Sequence, residues 1–147
     1  FFFKQKTAYE ITFIFRNFPL TTVHPNARAA AAAAEAAGLQ GKFWEMHDKL
    51  YEGQSDWENL DGTKRTNMFK TYATSLGLDV SKFESDLSAK QVTQKINFDL
   101  AVGKAVDVNA TPTFFLNGEK LDDKTSSGIV QSDLTDIKAK LDSLIKK

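Results

Sequence analysis

Val108-Asn109-Ala110-Thr111-Pro112-Thr113-Phe114-Phe115-Leu116-Asn117-Gly118 is the stretch whose reading decides the fold. Thr113-Phe114-Phe115-Leu116 is β-branched and aromatic, the composition of a short strand. Asn117-Gly118 fits the two-residue type I′ turn, whose two central residues both need positive φ. Glu119, Lys120 and Leu121 then form the returning strand. Pro112 stands just ahead of the first strand, where a missing N–H breaks no ladder. Downstream, residues 122–128 read as a polar loop. Ser132 is expected to cap a last helix, with Leu134, Ile137, Leu141, Leu144 and Ile145 on its buried face.

Upstream of the hairpin the pattern is helical. His24-Pro25 is expected to open a helix, with Pro25 at its first position. Positions 27–37 hold nine alanines broken only by Arg28 and Glu35, the best helix-forming composition, with Gly38 as the stop. Phe43, Met46, His47 and Leu50 recur at i, i+3, i+4 and i+7 and predict a second helix over 42–51, closed by Gly53. A third runs over 64–76 through Met68, Phe69 and Tyr72 to Gly77. Asp79 or Ser81 caps a short helix carrying Phe83 and Leu87. Val92, Ile96, Leu100 and Gly103 mark one more. Before this block, Ile11-Thr12-Phe13-Ile14-Phe15-Arg16-Asn17-Phe18 reads as a strand apolar on both faces, ended by Pro19.

Composition excludes several function classes. The 147 residues carry 19 Lys+Arg against 19 Asp+Glu, so no global field steers nucleic acid or an anionic membrane. The length predicts one domain. No apolar run reaches the roughly 18 residues of a membrane span, and no signal peptide is visible. Cysteine is absent, which removes disulfides, thiolate metal sites and any cysteine nucleophile. His24 and His47, the only histidines, lack partners at ligand spacing, so no metal site is expected. No nucleophile-elbow motif is present. Phe43, Trp44, Trp57 and Tyr72 read as core residues in preference to a ligand groove. Lys138, Lys140, Lys146 and Lys147 suit the end of a helix and call for no nucleic-acid partner.

The first ten residues stand apart. Phe1-Phe2-Phe3-Lys4-Gln5-Lys6-Thr7-Ala8-Tyr9-Glu10 resembles the translation of a sequencing-library adapter after a run of T. Residues 1–10 are therefore expected to be non-native, with a natural reading frame cut near Ile11; the alternative is a native strand.

Three stretches together resemble the DsbA-like branch of the thioredoxin superfamily. They are residues 13–20 running into His24-Pro25-Asn26-Ala27, the run from Ala36 through Gly41-Lys42-Phe43-Trp44-Glu45-Met46-His47-Asp48, and the Val108–Gly118 stretch. The resemblance implies an α/β, thioredoxin-like fold with a helical domain inserted at about 25–106, and residues 11–147 as a partial copy of it. It implies that the family's first core strand and catalytic helix are lacking here, together with their Cys-X-X-Cys pair. Family members exchange disulfides with extracytoplasmic proteins, without a further cofactor. A cis-proline facing the cysteine pair corresponds to Pro112. The Thr111 backbone beside it is expected to bond an extended polypeptide substrate, as an added strand would.

The expected function is thus a fragment of a thiol–disulfide oxidoreductase, itself inactive for want of cysteine, from a periplasmic or extracytoplasmic parent. Two alternatives stand beside it: a non-catalytic peptide-binding module, and an isomerase or transferase of the glutathione-transferase kappa type. Thr111 and Pro112 are the candidate substrate-binding residues, and no catalytic residue is assigned. A missing central strand is expected to uncover Phe13, Phe15, Phe114 and Leu116. Residues 1–9 are expected to prolong the strand at 12–18 into a ribbon, since no turn residue precedes Asn17.

Overall fold

The computed structural model describes residues 2–4 and 10–145, with side chains from Ile11 onward. Two compact units emerge. One is continuous, Arg16–Ala105; the other joins the chain up to Phe15 with the chain from Val106 onward.

The continuous unit is helical. Helix α1 (Ala27–Gly38) buries Ala30, Ala33, Ala34, Ala36 and Ala37. A face of methyl groups lets neighbouring elements approach closely, and α1 meets α2 (Phe43–Glu52), α5 (Val80–Asp86) and α6 (Lys90–Ala105). The short α3 (Gln54–Trp57) and α4 (Gly62–Ser75) complete the unit. Its core gathers Met46, Leu50, Trp57, Phe69, Ala73 and Phe83 around the alanine face. Trp57 packs edge-on against Phe69 at 5.6 Å, and its indole N–H donates to the Leu50 carbonyl at 2.9 Å. Asp61 and Asp79 cap α4 and α5 by accepting the N–H of Lys64 and Lys82.

Two helix boundaries differ from the sequence reading. His24 and Pro25 stay in the turn before α1, whose N-cap is Asn26. The Asn26 side-chain amide faces the carbonyls of Trp57, Glu58 and Leu60 at 2.9–3.2 Å, so it secures the α3–α4 connection. Gly38 remains helical, and the left-handed residue that turns the chain is Gly41, φ 76°.

The strand expected over 11–18 is much shorter. Strand β2 covers Glu10–Thr12, paired antiparallel with β1 (Phe2–Lys4) in the register Phe2 to Thr12. At the far end of the expected strand the Asn17 N–H donates to the Asp99 carboxylate instead of to a ladder. The ribbon expected from residues 1–9 is also corrected: β1 folds back onto β2. Residues 5–9, which that expectation also covered, lie outside the described residues. Phe13 is 47% exposed as expected, whereas Phe15, Phe114 and Leu116 are half-buried.

In the second unit β3 (Phe115–Leu116) and β4 (Glu119–Lys120) form the expected hairpin. Asn117 and Gly118 have φ of 50° and 87°, the type I′ pair. Among the described residues β1–β2 and β3–β4 are separate two-stranded sheets. The loop expected over 122–128 is instead helix α7 (Asp123–Val130), capped by Asp122, which accepts the Thr125 N–H at 2.8 Å. Ser132 is not a cap either. It takes a left-handed φ of 63°, and Asp133 accepts the Thr135 N–H at the start of α8 (Thr135–Ile145). No described residue of α8 is fully buried: Leu134 and Leu144 are 57% and 44% exposed, and Ile137, Leu141 and Ile145 are half-buried. The apolar stripe packs on α7.

Candidate functional site

Thr111 and Pro112 lie in the loop between α6 and β3, and both are exposed. The Thr111–Pro112 peptide bond is cis. Thr113 Oγ donates to the Ala110 carbonyl at 2.7 Å and closes the loop on itself. Among the described residues the Thr111 N–H and carbonyl have no protein partner. Pairing resumes three residues later, where the Leu121 N–H donates to the Phe114 carbonyl at 2.9 Å. Leu121 is buried and anchors the hairpin. Asp122 follows directly; the Thr125 N–H and the Lys140 ammonium hold its carboxyl well below the usual carboxylate range. The loop thus presents an unpaired stretch of backbone from a hairpin tied down at Leu121 and Asp122. That arrangement can accept a strand-like peptide through backbone bonds. It offers no general acid, base or nucleophile.

The other candidates fall elsewhere. His47 lies in an aromatic row on α2, 5.3 Å from the Trp44 ring and 4.7 Å from Tyr51, with Nδ1 3.0 Å from an Asp48 oxygen. Among the described residues no group of three His, Asp or Glu side chains could hold a metal. Trp57 is core, whereas Phe43, Trp44 and Tyr72 are half-buried.

Two polar clusters escaped the sequence reading. Asp99, buried on α6, accepts from Arg16, from Asn17 twice and from Lys95, and Glu35 joins through Asn17 Nδ2 at 2.6 Å. Burial alone would raise the Asp99 carboxyl, but these donors together hold it below its ordinary value. A signal was present: Val92, Ile96 and Asp99 lie at i, i+4 and i+7, which puts an acid on the apolar stripe. The second cluster joins Asn26 to Arg65, whose Nη1 donates to Asn26 Oδ1.

A family model described as thioredoxin matches residues 2–133. The chain belongs to the thioredoxin family. This thioredoxin-family chain is also similar to curated proteins named Na(+)/H(+) antiporter NhaA. It is 40% identical over 111 residues to one from Mycolicibacterium vanbaalenii, covering 74% of this chain and 17% of that protein. It is 41% identical over 110 residues to one from Salinispora arenicola, covering 75% and 16%. For one from Herminiimonas arsenicoxydans the figures are 37% over 114 residues, 76% and 16%. The chain therefore spans about one sixth of the length of these relatives. No solved structure matches it. Among the described residues no helix is long and apolar enough to cross a membrane.

Proposed function

We propose that this chain is the polypeptide-holding part of a DsbA-like thiol–disulfide oxidoreductase domain. The observation that carries the reading is the exposed, unpaired Thr111 backbone beside Pro112 in a thioredoxin-family chain. An extended substrate would pair with it edge to edge. The chain has no cysteine, so a redox pair would come from residues upstream of Ile11, and residues 1–10 are read as a non-native segment. The helical unit plays the part of the domain inserted in DsbA-like proteins. The antiporter names of the relatives, matched over one sixth of their length, favour an origin as one domain of a longer protein.

The test is backbone chemical-shift titration of the 147-residue chain with an extended, unstructured peptide. Saturable shifts centred on residues 109–114 support the reading; shifts elsewhere only, or none, reject it. Sequencing the source DNA upstream of Ile11 tests the redox part, which requires a Cys-X-X-Cys codon pattern there. A strand and helix without cysteine would instead favour a non-catalytic peptide-binding module, and a serine at that helix start the glutathione-transferase kappa type.

A further inference from the structure

Leu134-Thr135-Asp136-Ile137-Lys138-Ala139-Lys140-Leu141-Asp142-Ser143-Leu144 reads nearly the same in both directions about Ala139. Leucine mirrors leucine at the ends, threonine mirrors serine, aspartate aspartate, isoleucine leucine and lysine lysine. All but Leu134 belong to α8. At about 100° per residue Leu134, Ile137, Leu141 and Leu144 form one apolar stripe, and Ala139 stands on the opposite side. Lys138 and Asp142 line one flank of the stripe, joined by an ion pair of 2.8 Å. Asp136 and Lys140 line the other. There α7 lies alongside, with Lys124 paired to Asp136 at 2.8 Å and Lys140 to Asp122 at 3.1 Å. Leu134 and Leu144, the two ends of the stripe, remain exposed.

We propose that the α7–α8 hairpin is a homodimerisation surface, on which α8 packs antiparallel against α8 of a second copy, centred on the level of Ala139. A mirrored stripe is self-complementary. In a two-fold pair, residue i of one copy faces residue j of the other and j faces i. Leu134 then meets the partner's Leu144, and Ile137 meets the partner's Leu141, so apolar groups meet apolar groups throughout. The charges match as well. Along the first flank the order is the partner's Asp142, Lys138, the partner's Lys138 and Asp142, with successive groups about 3 Å of helical rise apart. Each lysine stands next to an aspartate of the other copy, and the flank is neutral. Opposed helix dipoles favour the antiparallel sense. The two-fold axis sets α7 and its copy on one side of the α8 pair, the arrangement of a four-helix bundle. The surface is small. The 11 residues of α8 rise about 16 Å, short of what buries the roughly 1,200 Å² of a stable complex. A dissociation constant of about 10–100 µM is therefore expected. The proposal does not depend on the Thr111 loop.

Sedimentation of the 147-residue chain from about 5 µM to about 1 mM brackets that range and should show monomer passing to dimer and no further. Leu134→Glu and Leu144→Lys each set a charge against a leucine and should weaken self-association roughly tenfold or more. Both sites are exposed, so the monomer tolerates the change, and the amide spectrum of each variant establishes that it is folded. Mixed in equal amounts, the two variants should dimerise with each other as well as the unaltered chain does. The introduced acid then faces the introduced base, and the two remaining leucines face each other. A parallel pair would gain nothing from the mixture. Ala139→Glu, on the far side of α8, should leave association unchanged. The proposal is overturned if the unaltered chain is monomeric at the top concentration, which would leave the face to another segment of a longer protein. It is equally overturned if open-ended oligomers replace the dimer, if the mixture stays monomeric, or if folded Ala139→Glu weakens association as much as Leu134→Glu.

Discussion

Asn17 donates twice to one oxygen of Asp99, through its backbone N–H at 3.0 Å and its side-chain amide at 3.1 Å. Arg16 takes the other oxygen at 3.0 Å, and Lys95 joins from one turn earlier on α6. The Asp99 side chain has no exposure, and its partners Asn17 and Arg16 lie more than 80 residues away in sequence. The start of the helical unit is thereby fastened to its last helix.

Asp99→Asn should destabilise the helical unit by about 2–4 kcal/mol, because a buried hydrogen-bonded charge is removed while Arg16 and Lys95 remain partly solvated. Both tryptophans, Trp44 and Trp57, belong to that unit, so urea unfolding followed by tryptophan fluorescence reports on it alone. The effect should depend on pH. The folded Asp99 carboxyl sits below its ordinary value near 3.8. Its contribution is therefore full above that value and is lost as pH falls through the lower folded one. Equal midpoints for the two proteins at neutral pH would refute the role given to Asp99.

Ala36→Leu should cost about 1–3 kcal/mol by overpacking, since Ala36 has no exposed surface where α1 meets its neighbours. Ala31 is half-buried on the same helix, and Ala31→Leu should cost less. The same fluorescence melt measures both, and the reverse order would be inconsistent with the packing of α1.

Gly128→Ala should destabilise the α7–α8 connection. In an ordinary helix interior the change would gain up to about 1 kcal/mol. Here a Cβ would come 2.8 Å from the Asp133 carbonyl oxygen, which is backbone and cannot swing away. Moving it disturbs the bond from the Asp133 N–H to the Gly128 carbonyl, also 2.8 Å. Hydrogen exchange at Asp133 is the readout: faster exchange in the variant is expected, and unchanged or slower exchange counts against the close approach.

Without cysteine the chain should not accelerate insulin reduction by dithiothreitol over a protein-free blank. Reduction clearly faster than the blank would contradict the requirement for a cysteine pair.

The helices were legible because each carried its own local record. Asp79 before Phe83 and Leu87, the alanine run, and the stripe through Phe43, Met46 and Leu50 all fix structure within two or three turns. Asn117-Gly118 did the same for the hairpin. Local signals failed where the deciding partner was remote. Residues 13–18 look like a strand, but Arg16 and Asn17 within them answer to Asp99. Residues 122–128 are a different case: Ser126, Ser127 and Gly128 are poor helix formers, and the local cap at Asp122 outweighs them. At the candidate site the residue types of Thr111 and Pro112 were readable, whereas the free Thr111 backbone depends on contacts no spacing encodes.

The fastening of Arg16 and Asn17 to Asp99 has a bearing on how such a chain can be reshuffled. Asp99 lies six residues from the end of α6, about 9 Å of helical rise. The entrance and exit of the helical block are thus sutured together by its own side chains. A piece closed in this way behaves as a cassette: a host needs only two nearby strand or loop ends to receive it. Gene rearrangement can then exchange the cassette between hosts, or vary it internally, without remaking the two ends that receive it.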